Sequence, residues 1–238
     1  MIQSIDMAGA QHPVSEAGLL LREFSHRINN EFTSAIGLIS AAAARCESGT
    51  AKAVLDAVQD GLHNYARVHH ALQMPEYGIL TDASPYLQRL CYAISRSKLE
   101  SNGIELVFVS LPFRLSSERC WRLGLIVSEL VTNAARHAFK DRRGTSRVEI
   151  VHSSSFVRCS VADDGAADVD ARPGCGLKIV RALAESLGGT IDHHFKPEGT
   201  VAVLAFPLSS ASIRDAFAQS TSDTSITQQS HNGTPRGG

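Results

Sequence analysis

No stretch of the chain stays apolar over the roughly 20 residues a membrane-spanning helix needs, and Met1-Ile2-Gln3-Ser4-Ile5-Asp6 has neither a basic start nor an apolar segment. The expectation is a cytoplasmic protein with no membrane span. An excess of either charge is missing too, since 23 Lys and Arg stand against 24 Asp and Glu, and the ten His are scattered. Without a basic footprint, nucleic acid and anionic membrane are not expected as primary partners. The five cysteines, Cys46, Cys91, Cys120, Cys159 and Cys175, are odd in number, widely spaced and free of any Cys-x-x-Cys. That spacing argues against a disulfide frame or a zinc site and predicts reduced thiols used for packing. No internal repeat is visible.

What remains is an ordinary globular composition, 43% apolar and 20% charged over 238 residues, enough for one large domain or two small ones. Residues 1–14 read as a flexible lead-in. From Glu16 to about Glu47, Phe24, Ile28, Phe32, Ala35, Ile39 and Ala42 recur at spacings of three and four, the pattern of a helix packed along its length. A second helix follows the break at residues 46–50, with Val54, Val58, Leu62 or Gly61, Tyr65, Val68 and Leu72 at the same period. Pro75 and Gly78 end it. Such a hairpin, placed at residues 15–76, has an apolar stripe that one partner helix cannot cover. Two copies close a four-helix bundle, which predicts a homodimer; docking onto the rest of the same chain is the competing arrangement.

Residues 80–208 read as a compact α/β module, and the tail from 209 to 238, rich in Ser, Thr, Gln, Gly and Asn, as disordered. Helices are expected over 84–98, over 117–139 from a Ser cap, and over 177–187 between Gly176 and Gly188-Gly189. Strands are expected over 104–109, 147–152, 156–162, 190–194 and 200–206. The mixture lacks strict β-α-β alternation, so the fold class is α+β, an antiparallel or mixed sheet covered on one face by helices.

Three polar spots in this module suit one nucleotide. On the helix around residue 130, Glu129, Asn133, Arg136 and His137 share a side, while Ile126, Leu130 and Ala134 line another. A carboxylate, an amide oxygen and cations in one row suit a hydrated divalent cation with phosphate oxygens. Asp163-Asp164-Gly165 ends a strand, where a carboxylate can accept from an exocyclic amine and so choose adenine over guanine. Gly174-Cys175-Gly176-Leu177 opens a helix whose free N–H groups suit phosphate, with Lys178 adding a weak charge. In the first helix, His26 falls opposite the Phe24, Ile28, Phe32 stripe at about 100° per residue, so it faces solvent. Asn30 follows one turn later on the same face.

These segments, with Gly199-Thr200, resemble the N, G1, G2 and closing Gly-Thr boxes of the GHKL (Bergerat-type) ATPase domain in the form found in sensor histidine kinases. His26-Arg27-Ile28-Asn29-Asn30 is similar to the His-Arg-x-x-Asn-Asn phosphoacceptor box of one kinase subfamily. The resemblance covers residues 16–207. It implies that Asn133 coordinates Mg²⁺ with help from Glu129, that Arg136 and His137 face the phosphates, and that Asp163 and Thr200 hold the adenine of ATP. Gly165, Gly174, Gly176 and Leu177 would give backbone access. His26 would take the γ-phosphoryl group and pass it to a response-regulator receiver domain, and Asn30 matches the position that orients a hydrolytic water in kinases with phosphatase activity. Two departures stand out: Ala167 replaces the second G1 glycine, and the lid between Gly165 and Gly174 is short and carries Asp168 and Asp170. A histidine phosphotransfer protein that takes phosphate at His26 without ATP is therefore the alternative. With only about 15 residues before the first helix, the input is expected from a partner such as a separate sensor protein, from the tail, or from regulated expression.

Overall fold

The computed structural model describes residues 16–75, 79–139, 142–166 and 175–208. The predicted lead-in, the lid with Ala167, Asp168, Asp170 and Gly174, and the tail lie outside these residues. Among the described residues, no helix is long and apolar enough to cross a membrane.

Helices α1 (Glu16–Ala44) and α2 (Gly49–Ala71) form the hairpin. α1 stops three residues short of the expected end because Ser48 caps the next helix, its Oγ accepting from the Ala51 N–H at 3.4 Å. The two helices are tied by Ser40 Oγ donating to Gln59 Oε1 at 3.1 Å and by Asn29 Oδ1 with His69 Nδ1 at 3.0 Å. The covered face of α2 matches the predicted one only in part, at Leu62, Val68 and Leu72. Leu55, Gln59, Leu62, Ala66 and His69 are half-buried, whereas Val54, Val58 and Tyr65 are 59%, 48% and 57% exposed. Both strips have spacings of three and four, and a single neighbouring helix covers only one of them. Leu19, Leu20, Phe24 and Leu38 of α1 are exposed as well.

Strand β1 (Leu80–Asp82) leads into α3 (Ala83–Ile94), which widens into a π-type turn at Ser95–Leu99 and then tightens into a 3₁₀ turn at Glu100–Asn102. β2 (Ile104–Ser110) and the short β3 (Arg114–Ser116) precede α4 (Ser117–His137). β3 pairs antiparallel with β1; three-residue strands are too short to show a period of two, so sequence reading missed both. At the start of α4, Ser117 donates from both Oγ and N to Ile79 O (2.9 and 3.0 Å), and Ser116, at the cap position, makes no side-chain capping bond. The expected Ser cap is instead a tie to the β1 entry.

β4 (Gly144–His152), β5 (Phe156–Asp163), α5 (Cys175–Ser186), β6 (Thr190–Lys196) and β7 (Gly199–Pro207) complete the module. The main sheet has the order β2-β4-β5-β7-β6, with β2 and β4 parallel and the other pairs antiparallel. Its inward rows, including Val148, Ile150, Val157, Cys159, Leu204 and Phe206, join Leu87, Leu90 and Ile94 of α3 and Leu123, Ile126 and Val127 of α4 in one core. Each fully buried side chain of this size contributes about 1.5–3 kcal/mol. Burial pushes the free thiols of Cys91, Cys120 and Cys159 up to about 12, so they act as packing groups. Val68 of α2 enters the same core, and the Trp121 indole of α4 donates to Leu72 O at 3.0 Å, tying the hairpin to the module.

Two half-buried imidazoles give this fold an acid sensitivity. Burial, then His70, lowers the pKa of His69; burial, then Arg181, lowers that of His193, whose Nε2 is buried without a partner among the described residues. Folding therefore favours the neutral rings. Their contribution is complete above the unfolded value of 6.5 and is lost as pH falls through it. A thermal melt is expected to hold its midpoint from about pH 8 to 7 and to drop below about pH 6.5, with His69→Gln and His193→Gln each flattening the drop.

Candidate functional site

Asp163 ends β5, and its Oδ1 accepts from the Gly165 N–H at 3.1 Å and the Thr200 N–H at 3.3 Å. The second oxygen is left for an outside donor. Burial raises the Asp163 pKa, the two backbone bonds oppose this, and the neighbouring Asp164 adds to the rise. Asp164 turns elsewhere, its Oδ1 accepting from Thr145 N at 2.7 Å and fastening the end of β5 to β4. Thr200 reaches Asp163 because Gly199 has φ of +143° and would bring any Cβ into the Asp163 carbonyl oxygen.

The predicted helix spot and the Gly-x-Gly segment also meet. Gly176 sits in the first turn of α5 with its backbone directly against the Glu129 carboxylate, where a Cβ would collide with Oε1. The absent Cβ lets the end of the Glu129 side chain lie against the α5 backbone, and that contact joins α4 to α5 at one point. Asn133 is half-buried one turn beyond Glu129, Arg136 and His137 are exposed in the last turn of α4, and Leu177 is half-buried beside Gly176. Ala166 N donates to Ala138 O at 2.9 Å, so the Asp163 loop is tied to the end of the same helix. Gly174 lies outside the described residues.

Among the described residues no three His, Cys, Asp or Glu side chains are grouped to hold a metal. The donors at hand, the Asn133 amide oxygen and the Glu129 carboxylate, suit Mg²⁺, which takes few protein ligands, keeps water and binds substrate phosphates. The cradle at Gly176, open because no Cβ fills it, leaves the Glu129 carboxylate facing a helix N-terminus.

Sequence reading missed Lys98. It lies in the π-type turn after α3, with Nζ donating to Thr132 Oγ1 of α4 at 3.4 Å. Burial and then Arg136 lower its pKa, while Glu129 raises it, so Lys98 is a second basic side chain, with Arg136, near the Glu129 face. A π turn has no marker in the residue pattern, so Lys98 read as the last residue of an ordinary helix.

On the hairpin, His26 and Asn30 are both exposed, and Asn29 turns inward to His69. Arg27 pairs with Glu23 at 2.9 Å in an exposed i,i+4 bridge.

Residues 23–98 match the histidine kinase family, and residues 103–206 match the histidine kinase-like ATPase domain. The chain belongs to the histidine kinases. This histidine kinase is 26% identical over 223 residues to Blue-light-activated histidine kinase 2 of Erythrobacter litoralis, the alignment covering 86% of the chain and 62% of that relative. It therefore spans less than two thirds of the relative's length. Its fold is similar to the histidine kinase domain of an Erythrobacter litoralis blue-light activated histidine kinase, with TM-score 0.54 and 23% identity, covering 74% of this chain and 96% of that one. Full-length ShkA, solved in complex with AMPPNP, has TM-score 0.51 and 21% identity, over 82% of this chain and 47% of ShkA. The module after the hairpin is accordingly a GHKL-type sandwich.

Proposed function

We propose that this histidine kinase binds Mg-ATP, phosphorylates His26 and passes the phosphoryl group to the aspartate of a response-regulator receiver domain, acting as a homodimer. The observation that carries the reading is the seating of the Glu129 carboxylate against Gly176, within a module whose Asp163 is held by Gly165 and Thr200. The first contact supports a helix N-terminus beside a metal-suited donor pair, and the second supports a half-buried carboxylate held ready for a base. Asp163 accepts the adenine amine, and the N–H groups at the start of α5 take phosphate oxygens. Asn133 and Glu129 would hold Mg²⁺, which would supply charge neutralisation at the phosphates. Arg136 and Lys98 add positive charge on the same side, and His137 offers a hydrogen-bond donor.

The reaction needs little from the protein beyond placement and charge neutralisation. A lone pair on a neutral His26 nitrogen forms the N–P bond as the bond from the γ-phosphorus to the bridging oxygen breaks, and ADP leaves with that oxygen. The proton stays on the other ring nitrogen. Exposure of His26 lets it meet first the nucleotide and then a receiver domain. The uncovered strip of Phe24, Leu38, Val54, Val58 and Tyr65 supports pairing with a second copy.

The test is incubation with Mg²⁺ and γ-labelled ATP, beside His26→Ala and Asn133→Ala. Acid-labile, alkali-stable label that is absent from both variants is the expected result. An unlabelled wild type whose His26 accepts phosphate from a phosphorylated receiver would instead support ATP-independent phosphotransfer. Lys98→Met is expected to keep or raise the melting midpoint, because the lowered pKa means the fold disfavours the protonated amine. The same variant should weaken ATP binding about threefold to tenfold through the lost cation, as read by titration calorimetry.

A further inference from the structure

Ser146 is the one fully buried polar residue of β4, on the row it shares with Val148 and Ile150. Its side chain is 0% exposed, and its Oγ has no hydrogen-bond partner among the described residues. A buried hydroxyl left this way is costly and rare, so its position calls for a partner that binding supplies. The β4–β5 register sets Ser146 directly opposite Asp163. Cross-strand neighbours on one face hold their Cβ atoms about 4.5–5.5 Å apart, close enough for one planar ring to meet both. On the other side of Asp163, Thr200 supplies its N–H, so three adjacent strands present polar groups at the same level of the sheet.

We propose that Ser146 is a base-reading residue: its hydroxyl donates to a ring nitrogen flanking the exocyclic amine that Asp163 accepts. This rests on the ATP-binding reading above. The division of labour follows from the donor inventory. Asp163, acceptor only, takes the amine, and Ser146 supplies the donor that the adjacent ring nitrogen requires. Guanine presents a carbonyl where adenine has the amine, so Asp163 repels it and the pair together selects adenine.

The test is calorimetric binding of ATP, 1-deaza-ATP and 7-deaza-ATP to the wild type, Ser146→Ala and Asp163→Asn, with a thermal melt of each. Ser146→Ala is expected to bind ATP about five- to tenfold more weakly while its melting midpoint holds or rises, since an unsatisfied hydroxyl has been removed. One deaza analogue, lacking the nitrogen in question, should bind the wild type and Ser146→Ala alike. Equal ATP binding by wild type and Ser146→Ala overturns the inference and leaves the ATP reading standing. So does a loss that is the same for ATP and both analogues, because that marks a packing role. A wild type that binds no ATP, with Asp163→Asn unchanged from it, overturns the ATP reading and this inference together.

Discussion

Asp163→Asn is expected to cut ATP affinity about 100-fold with the fold intact. The substitution is nearly isosteric, and the amide oxygen still accepts from Gly165 and Thr200. What changes is the second oxygen, which becomes an NH₂ pointing at the adenine amine, so that donor faces donor. A hydrogen bond to a charged group is lost, worth about 1.5–3 kcal/mol, and two desolvated donors are left opposed. Together these give about 3 kcal/mol, close to two decades in affinity. Stability should not suffer. Burial already disfavours the ionised carboxylate of Asp163, so removing its charge leaves the melting midpoint level or higher. Guanine's carbonyl suits the new amide, so the preference for ATP over GTP should narrow or invert. Calorimetry with both nucleotides reads the result, and retained tight ATP binding would sink the assignment of Asp163 to the base.

Phe206→Ala is expected to have the largest effect on folding. Phe206 is fully buried on β7 opposite Val157, and the Arg119 guanidinium of α4 lies 5.2 Å over its ring. Arg119 also donates from Nη2 to the Pro207 carbonyl, so this one ring lies beneath the clamp between α4 and the end of β7. Truncating a buried Phe costs about 3–5 kcal/mol, and the cation–π contact adds about 0.5–1 kcal/mol. Against a total stability of about 5–15 kcal/mol, that leaves the module marginal. Phe156→Ala is the control: it sits one register position away, opposite Pro207, and is 56% exposed. Its cost should stay under about 1 kcal/mol. Urea unfolding of the pair would test the contrast, and equal midpoints would count against the burial argument.

Long periodic segments were readable from residues alone. The helices around His26 and Glu129 extend over many turns, and the alternation from Val148 to Ala162 carries the period of two that one covered sheet face imposes. Gly176 and Gly199, read as ligand access and as part of the Gly-Thr box, stand where a Cβ would meet Glu129 and Asp163, contacts within the chain that the residue pattern did not show. The rotation of α2 was not readable, since Val54, Val58 and Tyr65 share their spacing with Leu55, Leu62 and Ala66, and only the position of α1 chooses between the strips. Lys98 escaped because a π turn depends on how α3 meets α4 and β2, a tertiary matter. Ser146 escaped for a different reason. The expected strand began at residue 147, so Ser146 fell outside it, and the observed strand starts three residues earlier at Gly144, which gives Ser146 its register with Asp163.

The Trp121–Leu72 bond bears on how motion travels through this molecule. Trp121 stands eight residues before Glu129 on one continuous helix, about 12 Å along its axis at 1.5 Å per residue. A helix of that length behaves as a stiff rod. Turning α2 about its own axis would swing Leu72 and drag the near end of the rod, and the Glu129 end would follow without any strand shifting register. The indole gears the hairpin to the helix that carries Glu129, and Val68, buried in the shared core, adds an apolar hold on α2.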